Sequence, residues 1–359
     1  MKRIVACDLW AEKDKHYEFN KNLIIILQKN FKNKLEYFGE YRQIMNLKKE
    51  LIFELNYNNI LTVKKSKYFQ YLLYIKNVFK IRNKAEIYFI LNALLVIIFL
   101  SKLIFSSKEE IYFFLHGLDK LEQKDKEMYK YLKFLFKFRN NKEKHKYIVL
   151  GKNIRENLVE IFPEMKEQIF YIDHPYSFEK EYEYKNLNAN FNLGTVGITS
   201  LEKGLENTFY FIEKLEEKYN FKHIGKSIDK IPIKFERYFP YRNDLLEKEK
   251  FEKEILKLDY ILILYPKDSY KLTASGVYFD CIKYNKPLLG LRNEYFEYMF
   301  KKYGEIGKLF DSLEEIIVYI SQDKQILDLD YNIFHENMKN IKKVLNKHVE
   351  NQLKKIIEG

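Results

Sequence analysis

Apolar runs of strand length alternate with amphipathic segments along the first half of the chain. Arg3–Cys7, Tyr147–Gly151 and Ile169–Pro175 have the continuous apolar character of buried strands, and Phe19–Lys29 has helical periodicity. Strands that alternate with helices form parallel sheets with helices on both faces. The pattern therefore predicts an α/β domain in this half.

The second half restarts the same alternation, which predicts a second α/β unit. The predicted elements are a strand at Asn192–Ile198, a helix through Tyr219, a strand at Phe221–Gly225, a helix at Phe251–Leu258, a strand at Asp259–Pro266, a helix from Gly276 to Asn285 and a strand at Leu288–Leu291. We expect Rossmann-like domains at residues 1–175 and 191–340, a polar linker at 176–190 and a C-terminal helix at 341–359.

One apolar segment, Ile87–Phe105, approaches the length of a membrane span, but only if Lys102 is included. A strand from Glu86, a helix from Asn92 through Leu103 and a further strand from Ile111 explain the same residues better. We therefore predict no spanning helix here. The N-terminus lacks the shape of a signal peptide.

Composition narrows the partners without identifying them. Lys and Arg outnumber Asp and Glu by 63 to 51, a net charge of +12 that favours anionic partners. The basic residues are mostly interleaved with acidic ones, so nucleic-acid binding is not indicated. With only two cysteines, Cys7 and Cys281, a disulfide framework is not expected, and a reducing cytoplasm is the simpler location.

A candidate anion site follows the strand that ends at Pro266. Ser275-Gly276 opens the next helix, whose first turn offers free N–H groups and a positive dipole end, and Asp280 lies one turn further on. The carboxylate of Asp280 could accept hydrogen bonds from a sugar hydroxyl. The alternative is that Ser275 is only an N-cap and Gly276 only a turn glycine.

Lys203-Gly204 heads a helix in the same way after the strand at Asn192–Ile198. A lysine in a loop at the carboxyl edge of a sheet is well placed to bind a diphosphate. Exposed lysines are common in this chain, so the pair alone is weak support. Neither a phosphate-binding P-loop, a G-x-G-x-x-G run nor zinc spacing occurs.

In order and spacing, these motifs resemble the C-terminal half of GT-B glycosyltransferases, particularly glycosyltransferase family 4, across Asn192–Leu291. The resemblance implies two Rossmann-like domains facing a cleft, a nucleotide-sugar donor and no metal or other cofactor. It also implies that Lys203 binds the donor diphosphate, Ser275 and Gly276 bind its phosphate through backbone amides, and Asp280 binds the ribose.

The chain departs from that family at three positions. Ile198 stands where an arginine is common, so Lys226 or Arg242 would have to supply the second cation, and Leu272, beside Thr273, stands where a glutamate is common. Asn285 replaces a glycine and suits a left-handed helix end. Ile198 and Leu272 leave a non-catalytic GT-B-like binding or scaffold protein as the alternative to an enzyme.

The N-terminal half should then hold the acceptor, a glycan or a lipid-linked molecule of surface polysaccharide or glycoconjugate biosynthesis. The resemblance implies a histidine at a strand end there, and His116-Gly117 fits; a structural role for His116 is the alternative. We expect His16 to be a weaker candidate and His174 to be structural.

The remaining expectations concern the C-terminus and the location of the protein. Asp328 and Asp330 have the spacing of a metal site but are expected to form an exposed acidic turn. The final helix is expected to cross back to the N-terminal domain, as the resemblance implies. The positive charge and the aromatics fit peripheral binding at the inner membrane face.

Overall fold

The computed structural model describes residues 3–9, 16–31, 34–51, 53, 55–60, 67–106, 108–116, 118–184, 187 and 191–358. The chain divides into two compact units. The first unit comprises residues 1–177, 272–274 and 345–359, and the second comprises residues 178–271 and 275–344.

The first unit is built on a seven-stranded sheet in which all neighbouring strands are parallel. Its strands are β1 (Ile4–Cys7), β2 (Leu35–Gly39), β3 (Asn56–Asn59), β4 (Ile87–Ile90), β5 (Glu110–Phe114), β6 (His145–Val149) and β7 (Ile169–Tyr171). They lie in the order β3-β2-β1-β4-β5-β6-β7. Buried tyrosines fill its core, at positions 37, 88, 112 and 147, which accounts for part of the aromatic content.

Within the described residues, seven α-helices connect these strands. They are α1 (Tyr17–Phe31), α2 (Tyr41–Glu50), α3 (Lys67–Ile81), α4 (Leu95–Ile104), α5 (Asp119–Glu122), α6 (Lys126–Lys137) and α7 (Lys152–Ile161). Because parallel crossovers are right-handed, the reversal of strand order after β3 places α3, α4 and α6 on the opposite face of the sheet from α1 and α2.

The apolar segment Ile87–Phe105 forms β4 and α4, as predicted, and β5 follows. The charge of Lys102 is accommodated in this apolar segment because its ammonium group has hydrogen-bond acceptors. Its ammonium is buried and donates to the carbonyl oxygens of Leu135 (2.6 Å) and Phe138 (3.2 Å) at the end of α6. Burial lowers the pKa of Lys102 to about 7. Among the described residues, no helix combines the length and the apolar character needed to cross a membrane.

The second unit is built on a five-stranded parallel sheet in the order β12-β11-β10-β8-β9. Its strands are β8 (Asn192–Val196), β9 (Asn220–Ile224), β10 (Tyr260–Ile263), β11 (Leu288–Leu291) and β12 (Gly307–Phe310). Its helices are α8 (Leu205–Lys214), α9 (Lys248–Ile255), α10 (Gly276–Lys283), α11 (Glu294–Tyr303) and α12 (Leu313–Ile320). The α/β prediction is confirmed for both units.

Three helix predictions in this unit were wrong in detail. Helix α9 spans Lys248–Ile255 rather than Phe251–Leu258. Helix α8 ends at Lys214 rather than at Tyr219, because Tyr219 turns inward and its hydroxyl donates to the Ile320 carbonyl oxygen at 2.7 Å. The predicted end of α10 at Asn285 was two residues late, but Asn285 has φ 52°, so the predicted left-handed conformation is confirmed.

The last helix, α13 (Lys324–Glu358), is longer than predicted and includes Asp328 and Asp330, which do not form a turn. Helical spacing lets Asp328 pair with Lys324, and Asp330 accepts a hydrogen bond from the Tyr319 hydroxyl at 2.9 Å. Among the described residues, no group of three or more His, Cys, Asp or Glu side chains could hold a metal ion.

The C-terminal part of α13, from Leu345 onward, belongs to the first unit. Gln352 Oε1 accepts a hydrogen bond from the Asp173 backbone N–H at 2.9 Å, and Asn346 Nδ2 donates to the Tyr176 carbonyl oxygen at 2.8 Å. The preceding residues of the helix belong to the second unit.

Candidate functional site

The second sheet has a topological switch point between β8 and β10. From β8 the chain passes to β9 at one edge, and then returns to place β10 on the other side of β8. The loops that leave β8 and β10 therefore diverge, and they open a crevice at the carboxyl edge of the sheet, where α/β proteins bind ligands. The motifs containing Lys203 and Ser275 follow these two strands.

Gly204 holds the loop after β8 against the end of β10. Its φ is 76°, and a Cβ built on it would lie 2.0 Å from the carbonyl oxygen of Leu264. The Asn207 side-chain amide donates to the same oxygen at 2.9 Å. Lys203, the exposed last residue of a short 3-10 turn, is thereby held at the switch point.

A second glycine contact brings the ends of β8 and β9 together. A Cβ on Gly225 would lie 1.8 Å from the carbonyl oxygen of Gly197. Just beyond this contact, the Thr199 N–H donates to the Lys226 carbonyl oxygen at 3.0 Å. Lys226 is thus a backbone neighbour of the segment that contains Ile198, where the arginine expected from the resemblance is missing.

Arg242, the other candidate for the second cation, lies next to Lys226 but is already paired. Its carbonyl oxygen accepts from the Ser227 N–H at 3.0 Å, and its guanidinium lies 3.0 Å from Glu236 Oε2. In the part of the chain that the structure describes, the Lys226 side chain forms no such ion pair. Lys226 is therefore the better placed of the two to meet an anion.

The start of α10 forms the other side of the crevice. Ser275 occupies the N-cap position, as the alternative interpretation predicts, and is buried, but its side chain accepts no hydrogen bond from the first turn of the helix. A Cβ on Gly276 would meet no atom within 4 Å, and a Cβ on Gly197 would lie 4.0 Å from Val277 Cγ2. The first turn of α10 is thus open in front and adjacent to the end of β8, with Asp280 half-buried one turn along.

Thr273 is not among the residues that the second unit brings together. Leu272, Thr273 and Ala274 group with the first unit, where the Leu272 backbone N–H donates to the Glu122 carboxylate. The Thr273 hydroxyl is buried and has no hydrogen-bond partner among the described residues.

Two residues that position the Lys203 loop were missed by sequence reasoning. The Asp229 carboxylate accepts a hydrogen bond from the Leu201 N–H at 2.7 Å, at the start of the turn that ends in Lys203. Asn207 holds the first turn of α8 to Leu264. The only sequence indication was the polar Ser227–Asp229 turn after β9, which resembles many other loops.

In the first unit, His116 lies two residues beyond the end of β5, within a cluster of rings around Phe19. Ring-centroid distances to His116 are 4.7 Å from His16 and 4.3 Å from Phe19, and Phe19 lies 5.3 Å from His174. Burial, followed by His16 and His174, holds the pKa of His116 well below its usual range. His116 is thus a neutral side chain whose buried Nε2 has no hydrogen-bond partner among the described residues. Gly117 lies outside the described residues.

His174 lies close to the backbone, with its Nδ1 2.9 Å from the Pro175 carbonyl oxygen. Burial lowers the pKa of His174 to about 4. The sequence placed the three histidines at separate points of the chain, and only the packing around Phe19 brings them together.

A buried carboxylate at the carboxyl edge of the first sheet was also missed. Asp8 follows β1 directly and accepts a hydrogen bond from Asn20 Nδ2 at 2.7 Å, and Asn20 Nδ2 also donates to Gln43 Oε1 at 3.2 Å. This network lies beside the switch point of the first sheet, between β1 and β4. An aspartate immediately after a buried strand was the available signal.

The two switch-point glycines give a matched test of this geometry. We expect Gly204→Ala to lower the free energy of unfolding by at least about 2 kcal/mol, because the new Cβ meets the Leu264 carbonyl at a left-handed φ. Gly276→Ala should change it by less than about 1 kcal/mol, because the site is open and helical. Urea unfolding measures both, and equal effects would contradict the described contact.

Buried His223 should make the protein acid-sensitive. Its Nδ1 lies 2.8 Å from the Thr195 hydroxyl, and burial lowers its pKa from 6.5 to about 4. Below pH 6.5, His223 binds a proton in the unfolded chain but not in the folded chain, so the free energy of unfolding falls as the pH drops toward 4. This residue should account for a loss of about 2 kcal/mol between about pH 7.5 and about pH 5.

The contribution of His223 is isolated by comparing unfolding at the two pH values in variants. His223→Asn should lose less stability on acidification than the parent, while His348→Asn, at an exposed position, should lose as much as the parent. An unchanged pH dependence in His223→Asn would contradict the assignment.

Comparisons with known proteins agree with this architecture. No protein-family model matches the chain, and no curated protein matches it significantly in sequence. Solved structures do match it over its whole length. Anabaena Alr3699/HepE, solved in complex with UDP and glucose, has a TM-score of 0.65 at 10% identity, with 100% of both chains covered.

Two further structures show the same likeness. The lipopolysaccharide outer core galactosyltransferase WaaB has a TM-score of 0.60 at 10% identity, covering 98% of this chain and 99% of its own. An alpha-glucosyltransferase solved in complex with UDP has a TM-score of 0.59 at 14% identity, with 100% of both chains covered. At such identities the likeness shows the fold: two parallel-sheet domains, as in GT-B glycosyltransferases.

Proposed function

We propose that the protein is a glycosyltransferase that binds a nucleotide-sugar donor at the switch point of the second sheet. The observation that carries this proposal is the convergence of the Lys203 loop and the open first turn of α10 at one carboxyl edge, through the contact of Gly204 with Leu264. The UDP-bound structures of similar fold support a uridine diphosphate donor, and the motif spacing supports membership of glycosyltransferase family 4.

The roles proposed for the donor site follow from the charge of each group. Lys203 and Lys226 bind the diphosphate, the first-turn amides at Ser275 and Gly276 bind a phosphate, and Asp280 accepts hydrogen bonds from the ribose. Arg242 orients the loop that carries Lys226, since its own charge is paired with Glu236. Thr273 remains a candidate for contact with the donor sugar.

In the transfer, the bond between the sugar and the diphosphate breaks, the acceptor hydroxyl oxygen becomes bonded to the sugar and gives up its proton, and negative charge develops on the leaving phosphate oxygen. Fixed cations and helix N-terminal amides stabilise such a charge without reorganising. We propose that they do so here without a metal ion. A second cation from the end of β9, Lys226, takes the place of the arginine that Ile198 replaces.

The acceptor is proposed to bind to the first unit, near His116. A neutral histidine whose Nε2 is buried and has no hydrogen-bond partner among the described residues can bond a sugar hydroxyl. A glycan or a lipid-linked acceptor fits a basic protein that works at the inner membrane face, in surface polysaccharide or glycoconjugate synthesis.

Lys203→Ala should fold normally and lose turnover by about 100-fold, because a donor to the developing phosphate charge contributes about 3 kcal/mol to the barrier. The assay follows the release of UDP or GDP from a panel of nucleotide sugars. Lys214→Ala changes an exposed lysine at the C-terminal end of α8, the helix that follows the Lys203 turn; it is the matched control and should keep the parent rate.

Parent-like turnover in Lys203→Ala would remove the residue from the site. If the parent protein released nucleotide from no donor but bound UDP, the non-catalytic alternative would replace the enzymatic one.

A further inference from the structure

Helices α3, α4 and α6 form one continuous layer on a single face of the first sheet. Helix α3 packs on α4, and α4 packs on α6. Besides the bonds from Lys102 to the end of α6, the Arg139 guanidinium donates to the Leu103 carbonyl oxygen at 2.9 Å. These bonds fix α4 to the end of α6, and α3 packs on α4, so the outer side chains of the three helices form a single surface, which we call the outer layer.

Large apolar side chains point to solvent from all three helices of the outer layer. Six of them are between 45% and 60% exposed: Tyr71, Leu72, Phe79, Leu103, Tyr131 and Phe134. Single exposed apolar residues are ordinary, but a group spread over adjoining helices marks an interaction surface.

The same surface is basic, although charges of both signs are interleaved over most of the chain. Among the side chains described on these helices, six lysines and a single carboxylate, Glu127, are exposed. The lysines are Lys76, Lys80, Lys126, Lys130, Lys133 and Lys137. The expectation that basic residues do not gather was therefore wrong for this layer.

The mixture of positive charge and apolar surface distinguishes between three possible partners: a second copy of the chain, nucleic acid and a lipid bilayer. A second copy would bring the same positive charge and would be repelled. Nucleic acid would use the lysines but would leave Leu72, Phe79 and Leu103 without apolar surroundings. A bilayer with anionic headgroups accepts both, because lysines meet the headgroups while aromatic and aliphatic side chains enter the boundary with the hydrocarbon.

We propose that the outer layer of α3, α4 and α6 is a docking surface for an anionic lipid bilayer. The inference deepens the proposed function, since it names the face through which the first unit would meet a membrane-borne acceptor. It uses none of the donor-site residues, so the two proposals can fail separately.

Cosedimentation with vesicles tests the docking surface. The full chain should bind vesicles of equimolar phosphatidylcholine and phosphatidylglycerol, bind phosphatidylcholine alone far more weakly, and be released by high salt without detergent. The triple variant Lys76→Glu, Lys130→Glu and Lys137→Glu should lower the partition coefficient on the order of 100-fold or more. Leu72→Ser with Phe134→Ser should lower it by at least about tenfold.

Matched controls change equally exposed positions outside the layer. Lys301→Glu, Lys343→Glu and Lys347→Glu provide the charge control, and Val318→Ser with Leu329→Ser provides the apolar control. Each control should bind vesicles within a factor of about three of the parent after correction for net charge. Circular dichroism confirms that every variant is folded.

Several outcomes would overturn the proposal. These are no binding of the parent to anionic vesicles, equal losses in the layer variants and the controls, or layer variants that change only self-association or binding to duplex DNA. Lys203→Ala should bind vesicles like the parent. If the protein binds vesicles but transfers no sugar, the docking surface is supported and the proposed function is wrong. If it transfers sugar but does not bind vesicles, the proposed function is supported and the docking surface is wrong.

Discussion

The contact between the Gly204 backbone and the Leu264 carbonyl oxygen is the constraint on which the candidate donor site depends. All strands of the second sheet are parallel, so every helix that follows a strand starts at the same edge. At the switch point between β8 and β10, two such starts face a common crevice. A side chain at position 204 would push the β8 loop away from the end of β10, and Lys203 would move with it.

Much of the fold could be predicted because buried parallel strands appear in the sequence as short, continuous apolar runs. The runs at Leu288–Leu291 and Ile87–Leu91 are short, apolar and bounded by polar or turn residues, and they form β11 and β4. The start of α10 at Gly276 and the left-handed Asn285 were also accessible, because serine, glycine and asparagine have specific backbone preferences at helix ends.

Features that depend on residues distant in sequence could not be predicted. The end of α8 is set by the inward turn of Tyr219 toward Ile320, and the neighbouring residues in the sequence do not indicate it. His16, His116 and His174 follow β1, β5 and β7 in the chain. They form one ring cluster because these parallel strands end at the same edge of the sheet. The outer layer could not be predicted for the same reason, since its lysines come from helices that are separated in the sequence by strands and loops.

A crystal structure of the protein with UDP tests the assignment of the donor site most directly. The diphosphate should lie in the crevice between β8 and β10, within hydrogen-bond distance of the first-turn amides of α10 and of Lys203 Nζ, with the ribose beside Asp280. A diphosphate bound away from this switch point, or no binding of UDP or GDP at all, would contradict this assignment.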